Sequence, residues 1–261
     1  MQEHNLQLNG KNVFYRASGQ GPAVVLVHGF AEDGSVWQHQ YGVLEDCRLI
    51  VPDLPGSGRS ELIEDVSMEA LADWLHQLTQ AIELGPFFLI GHSMGGYVAL
   101  AFAERYPEAL SGLGLFHSTA YPDTEEKKQT RRKGIAFMEQ NGAFEFLKTA
   151  TPNLYSPFTK ANHPELISTQ LEAIKDFSAG SLIAYYRAMM ERPDRTAVLR
   201  SITVPVLFIL GRSDAAVPLA DGLKQCHLPL LSSVHILENS GHMGMQEETA
   251  KANQALLDWN H

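Results

Sequence analysis

One stretch, FFLIGHSMGGYVALAFA from Phe87 to Ala103, constrains the fold more than any other. An apolar run, a glycine-rich bend and a run of helix formers follow one another directly. A continuous apolar run with no polar alternation predicts a strand buried on both faces, the kind found in parallel sheets covered by helices. A strand feeding straight into a helix is half of a β-α-β unit. One hydroxyl, Ser93, sits in the bend. Gly91-His92-Ser93-Met94-Gly95 matches G-x-S-x-G. In that pattern the serine takes a strained backbone conformation that lifts its hydroxyl above the sheet. Its neighbours two positions away must be small, or they would collide with the adjoining strand and helix. The helix that follows points its N-terminal amides at Ser93, where they favour developing negative charge. The bland alternative is a glycine-rich strand-to-helix turn with an incidental serine. The position between a buried strand and a helix favours a reactive one.

The rest of the chain repeats this plan. LQLNGKNVFYRAS reads as two short strands around the Asn9-Gly10 turn. AVVLVHGF and CRLIVPDLPGSGRS are apolar runs that end in glycine loops, with a short helix expected between them at Ser35 to Leu44. Ser67 is a candidate N-cap for SMEALADWLHQLTQAIEL, which carries apolar residues at helical spacing. LSGLGLFHS, VPVLFILGRSD and SVHILENSGH read as further strands, and EETAKANQALLDWN as a closing helix. Strands alternating with helices predict a mostly parallel, doubly wound α/β sheet.

One region departs from the rhythm. From Thr119 to Leu199 no strand pattern occurs, and helices are expected in DTEEKKQTRRKGIAFMEQ, GAFEFLKTA, HPELISTQLEAIKDF and SLIAYYRAMMER. The expected organisation is therefore a core of residues 1–118 and 200–261 with a helical insertion, 119–199. Its ends would lie at the carboxyl edge of the sheet, where open α/β folds bind ligands.

A serine hydroxyl is a poor nucleophile without a base, and the base needs an acid to orient it. Asp214 follows the strand in FILGRSD, and His242 lies in the loop ENSGH after the next strand. Asp214 would hold the imidazole tautomer, and His242 would move the proton between Ser93 and the leaving group. Acyl transfer also needs two donors for the oxyanion. The backbone amides of Met94, next to the serine, and of Phe30, in the loop after VVLVHG, are the candidates. Each acid and imidazole alone could be a loop residue; their order behind the Ser93 bend favours a catalytic set. His92 reads as part of the turn or pocket wall. His117 reads as packing at a strand end with a possible pocket-lining role, and Asp53 as the organiser of its loop.

Taken together, His28 to Phe30 (HGF), DLPGSGRS, GHSMGG, GRSD and SGH resemble the α/β-hydrolase family over nearly the whole chain outside the insertion. The resemblance implies that the insertion is the family's variable helical cap. It also implies a serine hydrolase rather than a haloalkane dehalogenase or epoxide hydrolase, which place an aspartate where Ser93 stands. The expected activity is cleavage of a carboxylic ester of a small or medium, largely apolar acyl substrate through an acyl-enzyme. Cap residues such as Phe137, Phe146, Leu154, Tyr186 and Met190 would supply a mostly apolar pocket. Two other readings remain open. One is a carbon–carbon bond hydrolase using Arg131, Arg132 or Arg187 for substrate carboxylates. The other is a receptor-like binding protein with only slow hydrolysis.

Charge and composition set the remaining bounds. A formal net charge of −10 argues against nucleic-acid binding. No apolar run approaches the ~18 residues of a membrane span. Together with an N-terminus that carries no signal-type segment, this gives a cytoplasmic expectation. Cys47 and Cys226 have no metal-ligand spacing. No metal or organic cofactor is expected, and the sequence carries no signal for an oligomeric state. The basic run EEKKQTRRK reads as a solvated helix face with pairs such as Asp123 to Lys127, or alternatively as a dock for an acidic carrier protein.

Overall fold

The Asn9-Gly10 turn closes a hairpin between β1 (Gln2–Leu8) and β2 (Lys11–Ser18), and both turn residues have positive φ, 51° and 76°. That left-handed pair matches the twist of the two strands it joins. The hairpin begins a computed structural model that describes residues 1–259. The other elements of the first half are β3 (Ala23–Val27), β4 (Arg48–Pro52), α1 (Met68–Ala81), β5 (Phe87–His92), α2 (Met94–Arg105) and β6 (Leu110–Phe116). The chain ends with β7 (Val206–Gly211) and β8 (Ser232–Leu237) interspersed with helices. All eight strands form one sheet in the order β1-β2-β4-β3-β5-β6-β7-β8. The first two pairings, β1 with β2 and β2 with β4, are antiparallel, and the rest are parallel.

The apolar runs are explained by burial on both sheet faces. Val25 and Val27 of β3 join Leu71, Leu75 and Leu78 of α1 and Phe102 of α2 in one core. The alternate residues Val24 and Leu26 join Trp37 and Leu256 in a second core on the opposite face. Helix α2 is buried at every position from Met94 to Ala103, so it is apolar all round rather than along one stripe. The Ser67 cap forms as expected, its hydroxyl accepting from the Ala70 amide.

The expected helix at Ser35–Leu44 is instead two 3-10 turns, Gly34–Trp37 and Tyr41–Leu44. Side-chain acceptors divert the backbone there. Asp33 takes the Ser35 amide and Asp53 takes the Gly34 amide. Buried Gln40 spends its own amide on Met245 and Asn253.

Between β6 and β7 every described element is helical: α3 (Glu125–Asn141), α4 (Ala143–Ala150), a 3-10 turn, α5 (Pro157–Asn162), α6 (Pro164–Ala173), α7 (Ala179–Glu191) and α8 (Thr196–Ser201). The four expected helices are present. Two short ones, α5 and α8, were not legible. Pro157 reads as punctuation but occupies the first turn of α5, where its missing amide proton is no loss. Helices α9 (Leu219–Leu223), α10 (Gly244–Glu247) and α11 (Thr249–Trp259) complete the chain, and Asn260 of the expected last helix lies outside the described residues. Among the described residues, no helix is long and apolar enough to cross a membrane.

The basic run on α3 behaves differently from a simple solvated face. Asp123 is buried and does not pair with Lys127, which donates to the Ala216 carbonyl. Asp123 instead receives Arg131 at 2.6 Å and Arg192 at 2.8 Å. Arg192 also lies over the Tyr97 ring, 3.8 Å from its centroid. The pairing fastens the start and end of the helical insertion to each other and to α2.

Candidate active site

Ser93 joins β5 to α2 with φ 51° and ψ −115°. A non-glycine residue held there stores about 1–3 kcal/mol of strain, which the surroundings must over-determine. They do so with two hydrogen bonds. The Ser93 amide donates to the Phe116 carbonyl at 3.0 Å, and the Ser118 hydroxyl donates to the Ser93 carbonyl at 2.7 Å. The flanking glycines have no alternative. A Cβ on Gly91 would stand 2.2 Å from the Gly95 carbonyl oxygen, and one on Gly95 would stand 2.4 Å from that of Val27. The Ser93 side chain is half-buried, so its hydroxyl remains reachable.

Asp214 follows β7 and is buried. Its Oδ1 accepts from the amides of Ala216 and Val217, both at 2.8 Å, which fixes the carboxylate plane. Its Oδ2 faces Nδ1 of His242 at 2.8 Å and Nδ1 of His117 at 3.3 Å. Burial alone would raise the Asp214 pKa, but the His242 and His117 imidazoles outweigh it and hold the carboxyl well below 3.8. A carboxylate at Nδ1 of His242 puts the proton on that nitrogen and leaves Nε2 as the basic atom. The sheet thus brings the Asp214–His242 pair to the same edge as Ser93.

His117 is the neighbour that sequence reasoning left as packing. The Gly244 amide donates to its Nε2 at 3.2 Å, so its proton sits on Nδ1, which lies 3.3 Å from Asp214 Oδ2 without the alignment of a hydrogen bond. Burial, the dominant influence, pushes its pKa down and keeps the ring neutral. His117, Asp214 and His242 present ligand-type atoms within 4.8 Å of one another. The His242 hydrogen bond to Asp214 and the packing of His117 against the same carboxylate account for that clustering.

The His242 loop is braced by Glu247, which the sequence showed only as a charge near the last helix. One carboxylate oxygen accepts from the Gly241 and Met243 amides at 2.8 and 3.1 Å. The other accepts from the Ser156 amide and the Thr159 hydroxyl of the insertion at 2.8 and 2.6 Å. The His242 amide itself donates to the Leu154 carbonyl at 2.6 Å.

The HGF loop lies directly on Ser93, since a Cβ on Gly29 would come within 3.2 Å of the Ser93 Cβ. His28 accepts from the Leu54 amide at 2.9 Å, and buried Asp53 takes Arg16 at 2.9 Å and the Arg59 amide at 3.0 Å, so Asp53 organises its loop as expected. Met94 is the first residue of α2, where helix amides lack intrahelical partners. Phe30 follows Gly29 in the HGF loop, and Met94 follows Ser93 in the chain.

Phe30 stacks on Tyr186 of the insertion, with ring centroids 4.4 Å apart. Beside them is a cavity of about 80 Å³ lined by Phe30, Ala31, Leu147, Leu154, Ile174 and Tyr186 among others. Gln170 and Ile174 also border a second cleft of about 340 Å³, whose wall includes Asp33, His39 and Asp176. No lysine or arginine lines either cavity.

Residues 22–249 match the sequence model described as the alpha/beta hydrolase fold. A solved thermophilic esterase from Thermogutta terrifontis superposes with a TM-score of 0.92 at 33% identity, covering 100% of this chain and 98% of that one. A 2-hydroxy-6-oxononadienedioate/2-hydroxy-6-oxononatrienedioate hydrolase from Paraburkholderia phymatum is 30% identical, covering 95% of this chain and 90% of its own. The 2-succinyl-6-hydroxy-2,4-cyclohexadiene-1-carboxylate synthase of Enterobacter sp. is 27% identical over 93% of this chain and 92% of its own. These relatives share a fold and carry names for three different reactions.

Proposed function

Because the chain belongs to the alpha/beta hydrolase fold family, we propose that it is a serine hydrolase of carboxylic esters with short, apolar acyl groups. The observation that carries this reading is the Asp214–His242 contact of 2.8 Å at the same sheet edge as the strained, reachable Ser93.

In the proposed reaction His242 Nε2 takes the Ser93 proton as Oγ attacks the ester carbonyl. The oxyanion accepts hydrogen bonds from the amides of Met94 and Phe30. As the carbonyl re-forms, the carbon–oxygen bond to the alcohol breaks and His242 protonates the departing oxygen. Water then repeats the sequence on the acyl-enzyme and releases the acid. Residues 119–199 act as the cap over the core of residues 1–118 and 200–261. The cavity of about 80 Å³ beside Phe30 is the acyl site. It admits roughly two to three small groups at about 30 Å³ each, the share of one water in the liquid.

Carbon–carbon bond hydrolysis of an acidic diketone is less well supported. Arg131 is committed to Asp123, and Arg187 is well exposed with Glu139 as its nearest anion at 3.9 Å. Arg132 is exposed, and neither cavity has a cationic side chain in its wall. The test is turnover of p-nitrophenyl acetate and butyrate by wild type and Ser93→Ala, with a fluorophosphonate probe to identify the reactive serine. Loss of both turnover and labelling in the variant is expected; equal rates in the two proteins would end the proposal.

A further inference from the structure

Glu32 and His92 form a buried pair, with 3% and 0% exposure, and Glu32 also borders the cavity beside Phe30. His92 Nδ1 lies 2.9 Å from Glu32 Oε2, and its Nε2 lies 2.9 Å from the backbone oxygen of His242. The same Glu32 oxygen accepts from the Gly29 amide at 2.6 Å. A backbone carbonyl can only accept, so Nε2 carries a proton. Nδ1 and Oε2 share a second proton, and the Gly29 N–H, a further donor to the same oxygen, favours the carboxylate and hence a proton on Nδ1. That arrangement is an imidazolium–carboxylate pair.

The groups facing this ring offer no competing anion. Trp37 and Phe116 pack nearly perpendicular to it, and His117 and His242 are the neighbouring imidazoles. Asp214 acts on His92 from farther away, and His28 acts on Glu32. Burial opposes charge on both members of the pair, yet their mutual attraction outweighs it, leaving Glu32 below and His92 above their ordinary ranges.

We propose that His92, as an imidazolium paired with Glu32, is a positioning residue that locks the loop bearing the Phe30 amide to the backbone of His242. The lock has three links: Gly29 amide to Glu32, Glu32 to His92, and His92 to the His242 carbonyl. It touches no reacting atom. It sets the separation between an oxyanion donor and the base, so its kinetic consequence rests on the ester-hydrolase reading. Its protonation state does not.

The test therefore has a spectroscopic arm and a kinetic arm. Long-range proton–nitrogen spectra of ¹⁵N-histidine-labelled protein at pH 7, with His92 assigned by its loss in His92→Gln, should show protons on both ring nitrogens. In Glu32→Gln the amide oxygen can still take the Gly29 N–H, but the countercharge is gone. His92 should then hold a single ring proton, and one of its two contacts must fail. The variant's kcat on p-nitrophenyl acetate should fall about tenfold with KM within about twofold, the loss of one hydrogen bond to a charged group. Glu32→Asp, which keeps the charge, should recover part of the rate. A singly protonated His92 in the wild type refutes the proposal even if neither Glu32 variant folds and even if the protein cleaves no ester. A Glu32→Gln protein with wild-type kcat refutes it as well.

Discussion

Replacing Asp214 by asparagine exchanges one oxygen for nitrogen and should remove most of the proposed activity. Oδ1 of Asp214 is held by two amide donors at 2.8 Å, so the asparagine oxygen will stay there. The amide nitrogen must then face His242 Nδ1, where a carboxylate oxygen now sits at 2.8 Å. An NH₂ group cannot accept a proton, so the imidazole has to carry its own proton on Nε2. That is the nitrogen from which Ser93 needs a lone pair. The expected loss is about 10⁴-fold in kcat, the scale of the same exchange in other Ser-His-Asp sites, or about 5.4 kcal/mol at 1.36 kcal/mol per tenfold. KM should change little, because no substrate contact is lost. Stability should respond in a specific direction. Asp214 has a folded pKa held well below 3.8, so its contribution is fully present above about 3.8 and declines steadily as pH falls from there toward the lower folded value. The wild type should therefore lose stability more steeply than the variant below about pH 4. Steady-state hydrolysis of p-nitrophenyl acetate, fluorophosphonate labelling rates and urea unfolding from pH 3 to 7 provide the measurements. A variant that hydrolyses within tenfold of wild type and labels as fast would refute the tautomer argument.

Three further outcomes are expected. Asp123→Ala leaves the Arg131 and Arg192 guanidinium groups without their shared anion. This should cost about 3–5 kcal/mol, visible in calorimetry as a melting point lower by several degrees; an unchanged melting point contradicts the pairing. Gly95→Ala places a Cβ 2.4 Å from the Val27 carbonyl and 2.6 Å from that of His28. It should destabilise by about 1–3 kcal/mol and depress kcat by shifting the HGF loop, and wild-type kinetics would show that the loop tolerates the strain. Leu147→Ala enlarges the cavity beside Phe30. The chain-length optimum of p-nitrophenyl esters should move to longer acyl groups, and an unmoved optimum would dissociate this cavity from the acyl site.

Fold and site were legible where the cause is local or repetitive. AVVLV and FFLIG advertise two-sided burial through composition alone, and both strands lie inside the sheet with both neighbours parallel. The bend at Ser93 was legible because its glycines answer to steric limits within five residues. The order of Ser93, Asp214 and His242 was legible because strand ends deliver each to one sheet edge. Partners that depend on distant chain segments were not legible. Glu32 looks like a solvent-facing charge after HGF, and only the fold carries it to His92, sixty positions on. Glu247 looks like a helix-start carboxylate, yet it collects donors from two loops. Asp123 suggested a pair with Lys127 at helical spacing, whereas its actual partners include Arg192, near the far end of the insertion. In each case a buried charge selected its partner by the need to be neutralised, a requirement that sequence spacing does not record.

The whole helical insertion departs from β6 and returns at β7, strands that are hydrogen-bonded neighbours. The entropy of closing such an excursion grows only with the logarithm of its length, about 0.6 kcal/mol for each doubling. The sheet is thus nearly indifferent to how long the excursion is or how its helices are arranged. A descendant of this chain could exchange the insertion with little effect on the sheet. That freedom is narrowest around His242. Any replacement must still offer a carbonyl where Leu154 receives the His242 amide, and donors where Ser156 and Thr159 meet Glu247. Those are the positions at which a transplanted insertion should be checked first for fit.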